Sequence, residues 1–243
     1  QGGVWALQYW NDVLVSGSTD RMIRVWDMDT GECVQMFDGH TSTVRCLIII
    51  IPKVNPHTGL VEPKEPLIVT GSRDMTLRVW RLPHPKRDPR YKNDNKSGSD
   101  EENASRNPYF KYVLKGHSAS VRAIAGEGNI VVSGSYDHNV RVWDVGTGEA
   151  KYTLTGHTEK VYSVGYSQEL QRAVSGSMDN TVKVWCIKTG TLLFDLAGHT
   201  SLVGLLELSP KYLISAAADT TLRIWSPITG ECLATLTGHT AAI

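Results

Sequence analysis

Four cysteines, the absence of any long apolar run and a formal net charge of +0 exclude several classes of protein before any motif is read. Cys33, Cys46, Cys186 and Cys232 are scattered and no CxxC occurs, whereas disulfide frameworks and zinc sites need closer clustering. Reduced thiols in a nuclear or cytoplasmic protein are therefore expected, with no metal and no other cofactor. The longest apolar stretch, Cys46 to Ile51, is strand-sized, far short of the roughly 18 residues of a membrane-spanning helix. The opening residues Gln1-Gly2-Gly3-Val4-Trp5 lack the basic and apolar regions of a signal peptide. Lys and Arg number 25 and Asp and Glu 25, so nothing draws the chain as a whole to nucleic acid or to a membrane. Neither is expected as a partner, and any charged site must be local.

What the chain has is a repeat. A Gly-His pair recurs at His40, His117, His157, His199 and His239, the last three intervals being 40, 42 and 40 residues. A turn ending in Asp, followed six residues later by Trp, recurs as Asp20/Trp26, Asp74/Trp80, Asp137/Trp143, Asp179/Trp185 and Asp219/Trp225. That period and those residues mark the four-stranded blade of a WD-repeat β-propeller. The fold class expected is all-β, with about five four-stranded antiparallel blades at approximately 1–38, 39–115, 116–155, 156–197 and 198–237. Residues 238–243 open a further repeat, so the whole reads as part of a larger ring. A lone blade cannot bury both faces of its sheet, and an incomplete ring should expose two edges.

The repeated residues contain the ingredients of a Ser-His-Asp hydrolase. Yet the set His157/Ser175/Asp179/Trp185 recurs as His117/Ser133/Asp137/Trp143 and His199/Ser215/Asp219/Trp225, with Thr70 replacing Ser beside His40/Asp74/Trp80. A catalytic site would not be copied once per blade. Because buried polar groups need partners, these residues are expected to form a hydrogen-bonded brace in each blade. No catalytic residue is expected, and each histidine is committed to its brace rather than to a metal.

The interval from His40 to His117 is 77 residues, so the second blade carries inserts. One, within 51–66, lies between its first and second strands and contains Pro52, Pro56, Pro63 and Pro66. The other, within 83–108, lies between its third and fourth strands; its charged, polar composition reads as a disordered loop. In an antiparallel meander the connections alternate between the two ends of the sheet. Both inserts therefore belong to one face, and the Gly-His and Asp turns to the other.

The copies serve as their own control. Two residues before each Trp stand Arg24, Arg78, Arg141, Lys183 and Arg223, basic in every blade and so a scaffold or solvated-surface feature. Five residues after each Gly-His the chain varies: Trp5, Arg45, Arg122, Tyr162 and Gly204. The residue before the turn Asp also varies: Thr19, Arg73, Tyr136, Met178 and Ala218. Arg21 follows the first such Asp. All of these fall on the face without inserts, gathering Arg21, Arg45, Arg73 and Arg122 on one quarter of the rim with Trp5 and Tyr136. Arginine's planar fork binds phosphate or carboxylate in pairs of hydrogen bonds, and Arg clusters on rigid scaffolds read phosphorylated motifs.

The segments Val4-Trp-Ala-Leu, Val15-Ser-Gly-Ser-Thr-Asp-Arg21, Gly39-His-Thr-Ser-Thr-Val-Arg-Cys46, Thr70-Gly-Ser-Arg-Asp74 and Ser133-Gly-Ser-Tyr-Asp137 carry a more specific likeness. Together they resemble the F-box/WD-repeat substrate receptors of SCF-type cullin-RING ubiquitin ligases, in the archipelago and cell-division-control branch. The resemblance implies a propeller that binds phosphorylated degrons of protein substrates. It implies Arg45, Arg73 and Arg122 as the main phosphate ligands, with Arg21 assisting. Ser42 and Thr43 would hydrogen-bond the peptide, while Trp5, Thr19 and Tyr136 would line the pocket for its apolar residues. A ligase adaptor would be engaged only through an F-box region, which these residues do not include. The competing expectation is a WD-repeat interaction scaffold that binds its partners without phosphate.

Overall fold

The computed structural model describes residues 2–90 and 106–243. Five four-stranded antiparallel sheets follow one another along the chain, together with one two-stranded sheet. The first comprises β1 (Val4–Trp10), β2 (Val13–Ser18), β3 (Ile23–Asp27) and β4 (Cys33–Phe37). In the second, β5 (Val44–Ile50), β8 (Leu67–Ser72), β9 (Leu77–Arg81) and β10 (Phe110–Leu114) pair in that order, while β6 (Lys53–Val54) and β7 (Val61–Glu62) form a separate ribbon. The third runs from β11 (Val121–Glu127) through β12 (Ile130–Ser135) and β13 (Val140–Asp144) to β14 (Glu149–Leu154). The fourth is β15 (Val161–Ser167), β16 (Arg172–Ser177), β17 (Val182–Cys186) and β18 (Thr191–Leu196). The fifth is β19 (Val203–Leu208), β20 (Leu213–Ala217), β21 (Leu222–Trp225) and β22 (Cys232–Leu236).

Four apolar cores join these five blades, one between each consecutive pair. Each core is built from the alternating residues of two facing sheets, as sheet-on-sheet packing requires. The glycine next to last in the second strand of each of the first four blades sets how close the next blade comes. A Cβ at Gly134 would lie 2.6 Å from Cγ1 of Val161 in the next blade, so only glycine admits that approach. The strand-c tryptophans Trp80, Trp143, Trp185 and Trp225 lie in the cores shared with the preceding blade. Trp26 of the first blade is only half-buried, since among the described residues no blade packs on that side. Leu7 and Tyr9 at one end of the array and Leu205 and Leu233 at the other are exposed.

The first insert is a strap. His57 Nε2 donates to the carbonyls of Gln168 (3.0 Å) and Glu169 (3.2 Å), in the turn between the first two strands of the fourth blade. Lys53 Nζ reaches Glu127 of the third blade at 3.3 Å. The segment thus crosses two blades on the face opposite the Asp turns. Of the second insert, 91–105 lies outside the described residues. Its start is anchored rather than loose: the Pro89 carbonyl accepts from Gln35 Nε2 (2.8 Å) and from the Tyr109 hydroxyl (2.9 Å), and Arg81 pairs with Asp88 at 3.0 Å.

Candidate peptide-binding rim

The brace geometry repeats from blade to blade. In the third blade His117 Nδ1 lies 2.8 Å from Asp137 Oδ2, and Nε2 lies 2.8 Å from the Ser133 hydroxyl, which Trp143 Nε1 also reaches at 2.8 Å. The carboxylate requires the proton on Nδ1, so Nε2 accepts from Ser133, which in turn accepts from the indole. The fourth blade repeats this with His157, Asp179, Ser175 and Trp185, and the fifth with His199, Asp219, Ser215 and Trp225. The second blade departs from expectation. Thr70 meets His40 Nε2 at 2.9 Å and Asp74 meets Nδ1 at 2.7 Å, but Trp80 Nε1 has no partner. Threonine is stiffer than serine about χ1 and directs its hydroxyl toward the Arg78 carbonyl (3.4 Å). The Trp80 ring is held instead by stacking on Phe37 at 4.9 Å.

Burial pushes the Asp137 carboxyl up, but hydrogen bonds from His117 and from the Ser118 and Asn139 amides outweigh it and hold the pKa at about 2. Asp74, Asp179 and Asp219 are held well below the usual carboxylate range by the same balance. Burial drives His40 below its ordinary value despite Asp74 beside it. The three serines have 0% exposure, so none offers a nucleophile to a substrate.

The basic residues two before each Trp are not a solvated surface. Arg78 and Lys183 are buried, and Arg141 and Arg223 lie over Trp143 and Trp225 at 5.9 Å. The glycine of Gly-His makes room: a Cβ at Gly116 would fall 2.5 Å from the Arg141 guanidinium. Packing of the long stem against the blade explains why the position is basic throughout.

The variable residues five after each Gly-His share one backbone feature. In every blade the pairing of the first two strands skips one residue, and the skipped residues are Trp5, Arg45, Arg122, Tyr162 and Gly204. A β-bulge leaves its extra residue unpaired and re-aims its side chain. The second variable position is locked just as regularly. The amide of Thr19 donates to Gly3, Arg73 to Thr43, Tyr136 to Ser120, Met178 to Lys160 and Ala218 to Leu202, at 2.9–3.0 Å. In the first four blades the serine ending the second strand adds a bond to the same stretch, such as Ser72 Oγ to the Ser42 carbonyl (3.1 Å). Backbone is constant and side chain is free to differ.

Across blades these side chains meet. The Arg45 guanidinium lies 4.8 Å from the centre of the Trp5 ring, and that of Arg122 lies 5.6 Å from Tyr162. Tyr136 and Tyr162 are 5.2 Å apart, and the hydrogen bond between them raises the Tyr162 pKa while the fields of Arg122 and Arg45 oppose the rise. Both arginines also act on the Cys46 thiol, which burial nevertheless pushes up to about 12. Arg73, Thr19 and Arg21 are exposed on their turns, with Arg21 in left-handed backbone (φ 72°). Ser42 and Thr43 are half-buried and are engaged through their carbonyls. Sequence alone assigns Tyr162 no role. Its place at a varying position was visible, but its contact with Arg122 and Tyr136 arises only from the packing of blades three and four.

Repeated blades with a constant brace and a varied rim define an interaction module of the propeller class. The WD domain, G-beta repeat family model matches residues 1–27, 31–81, 109–144, 148–186 and 190–226, and the chain belongs to that family. It is 49% identical to cell division control protein 4 of Candida albicans over 89% of this chain and 31% of that protein. It is 45% identical to cell division control protein 4 of Saccharomyces cerevisiae over 70% of this chain and 21% of that protein. Similarity to WD repeat-containing protein pop2 of Schizosaccharomyces pombe is 48% identity over 69% of this chain and 24% of that protein. The chain thus spans about a third or less of the length of these relatives. Among solved structures, the computationally designed Ika8 protein matches with a TM-score of 0.77 and 32% identity, over 99% of this chain and 64% of that one.

Proposed function

We propose that the rim around Arg45, Arg73 and Arg122 binds phosphorylated segments of other proteins, and that the longer protein presents these substrates to an SCF-type ubiquitin ligase. The observation that carries this reading is the state of the three arginines. Several other basic side chains are neutralised within the chain: Arg24 by Asp20 (2.8 Å), Arg81 by Asp88 (3.0 Å) and Lys183 by Asp195 (2.6 Å), while Arg141 and Arg223 lie over the tryptophans of their own blades. Among the described residues Arg45, Arg73 and Arg122 have no acidic partner, and the buried Arg45 Nε has no hydrogen-bond acceptor at all. An uncompensated, partly desolvated guanidinium is costly unless a ligand supplies the anion. A phosphorylated side chain supplies about −1.5 to −2 charges and three acceptor oxygens, which suits several forks at once.

The likeness to cell division control protein 4 supports the same reading. The role is binding, in keeping with the buried brace serines. A nuclear or cytoplasmic setting goes with it, and no helix among the described residues is long and apolar enough to cross a membrane. The test is calorimetric titration of the full chain with matched phosphorylated and unphosphorylated peptides. Binding that requires the phosphate and is lost in Arg73→Ala is expected. Equal affinity for both peptides would replace this reading with a scaffold indifferent to phosphate.

A further inference from the structure

We propose that the cavity beneath the strap, on the face opposite the rim, takes an arginine side chain from a segment of a partner protein. The proposal stands apart from the phosphopeptide reading, because it uses neither the rim nor a phosphate.

The site begins with a turn. Residues 11–12 and 128–129 join the first two strands of the first and third blades, whereas the longer 168–171 joins those of the fourth. The extra length carries Gln168 and Glu169 to the strap, where the His57 ring holds both carbonyls. Gln168 spends its hydrogen bonds through the backbone. Its N–H donates to Glu127 Oε2 at 3.2 Å, and its carbonyl accepts from His57 and from Gln171 Nε2 at 2.7 Å. The residue is only 4% exposed, yet among the described residues its side-chain amide has no partner. That amide is pressed on the third blade's turn, since a Cβ at Gly128 would come within 2.6 Å of Nε2. A buried amide left unmatched is costly unless a ligand completes it.

Two cavities meet at this amide. The larger, about 420 Å³, is walled by Val54 and Pro56 of the strap, by Leu208 and Pro210 of the fifth blade, and by Glu127 and Glu169. The smaller, about 320 Å³, shares Gln168 and Tyr166 with it, and the Tyr166 hydroxyl is likewise buried without a partner. Among the described residues no basic side chain lines the larger cavity. Lys53 meets Glu127 at 3.3 Å with 54% of its side chain exposed, so it offsets only part of that charge. Glu169 is exposed and has no ion pair among the described residues. Burial pushes the Tyr166 hydroxyl up, and the fields of Glu127 and Glu62 add to the rise, so the potential here is negative.

The lining selects the ligand. Apolar walls suit a methylene stem, while two carboxylates and Gln168 Oε1 accept from its head. A guanidinium brings five N–H donors in one plane and is more weakly hydrated than an ammonium, so it enters a confined space at lower cost than lysine. The larger cavity falls within the range of about 300–1,000 Å³ found for small-ligand sites.

The experiment titrates the full chain with short blocked alanine peptides that carry Arg, Lys or citrulline at the centre, and reads Kd by NMR. The Arg peptide should bind, and the citrulline peptide, which keeps the shape and loses the charge, should bind roughly tenfold more weakly or worse. The Lys peptide should fall between them. Glu127→Gln and Glu169→Gln should each weaken the Arg peptide by about three- to tenfold. Glu159→Gln, which changes an exposed carboxylate on the opposite face, should leave Kd unaltered. Glu169 makes no side-chain bond among the described residues, so its variant tests the site even if Glu127→Gln loosens the strap. Failure of the Arg peptide to bind, equal binding of Arg to Lys or citrulline, or an unchanged Kd in Glu169→Gln overturns the proposal.

Discussion

Arg45 holds its guanidinium 4.8 Å from the centre of the Trp5 ring, so a bulge residue of the second blade is steadied by the bulge residue of the first. The contact explains how a partly exposed arginine with no acidic partner keeps one orientation. It also makes Trp5 a residue whose loss acts through its neighbour. Trp5→Ala should weaken phosphopeptide binding at least two- to fivefold, the equivalent of about 0.5–1 kcal/mol for an exposed cation–π pair. Trp5→Phe should retain most of the affinity. Calorimetry with one phosphopeptide measures both, and unchanged binding in Trp5→Ala would show that the stacking is incidental.

Arg73 and Arg141 separate rim from scaffold. Arg73 is exposed on its turn, whereas Arg141 lies over Trp143 beneath the glycine of Gly-His. Arg73→Ala is expected to cost about 2–5 kcal/mol of phosphopeptide binding with little change in melting temperature. Lysine at that position should rescue only in part, because it keeps charge and loses the planar fork. Arg141→Ala should do the reverse, lowering the melting temperature while leaving affinity alone. Equal losses of affinity in both variants would move the phosphate away from Arg73.

The brace should show itself in stability alone. Ser133→Ala leaves both His117 Nε2 and Trp143 Nε1 without partners in a buried site, a loss of about 1–3 kcal/mol per unsatisfied group. Thr70→Ser is expected to be far milder. It removes a methyl, but frees a hydroxyl to bridge His40 and the unpaired Trp80 indole. Thermal unfolding of the two variants gives the comparison, and a larger loss in Thr70→Ser would contradict the geometry.

Acid should lower the stability of the protein over two pH ranges. The Asp137 pKa of about 2 lies below the unfolded value of about 3.9, so between them the unfolded chain binds more protons. That contribution is complete above about pH 4 and is lost as pH falls toward 2, together with those of Asp74, Asp179 and Asp219. His40, driven down by burial, adds an earlier stage. The unfolded chain takes up its proton first below about pH 6.5, so stability declines there too. Melting temperature should fall below neutrality and again, more steeply, below about pH 4. A flat profile from pH 7 to pH 3 would count against a neutral His40 and ionised turn aspartates.

The strap should be separable from the rim. His57→Ala removes the bonds to the Gln168 and Glu169 carbonyls on the opposite face. Proteolysis near residues 53–62 should accelerate while phosphopeptide affinity stays within about twofold, since exposed loops open with little cost elsewhere. Loss of affinity on the same scale as in Arg73→Ala would show that the strap sets the rim's geometry.

Much of the architecture was legible in the chain because a repeat states its pattern several times. The spacing of Gly-His, Asp and Trp sufficed for the blades, but the alternation of Val140-Arg-Val-Trp143 read as a half-buried strand, whereas Val140 and Val142 lie in one core and Trp143 in the core on the other side. Comparison of the copies separated constant from varied positions. The basic residue two before each Trp was legible as constant, but not as packed against the blade, since that packing depends on the neighbouring indole and on the glycine above it. Trp80 was equally opaque: its missing hydrogen bond follows from one methyl on Thr70 and from the stacking of Phe37, which belongs to another blade.

The sequence by itself determined that the chain is a row of blades, which residues recur in each, and which positions of the rim differ. These are local facts, set by strand alternation and turn chemistry within about forty residues. Only the tertiary structure decided that the varying residues after Gly-His are bulge residues and that Arg45 leans on Trp5 and Arg122 on Tyr162. It also set Lys160 across an aromatic pair from Arg122. Those contacts join different blades, and their geometry depends on how closely Gly17 and Gly134 let the next sheet approach, a distance no single repeat contains.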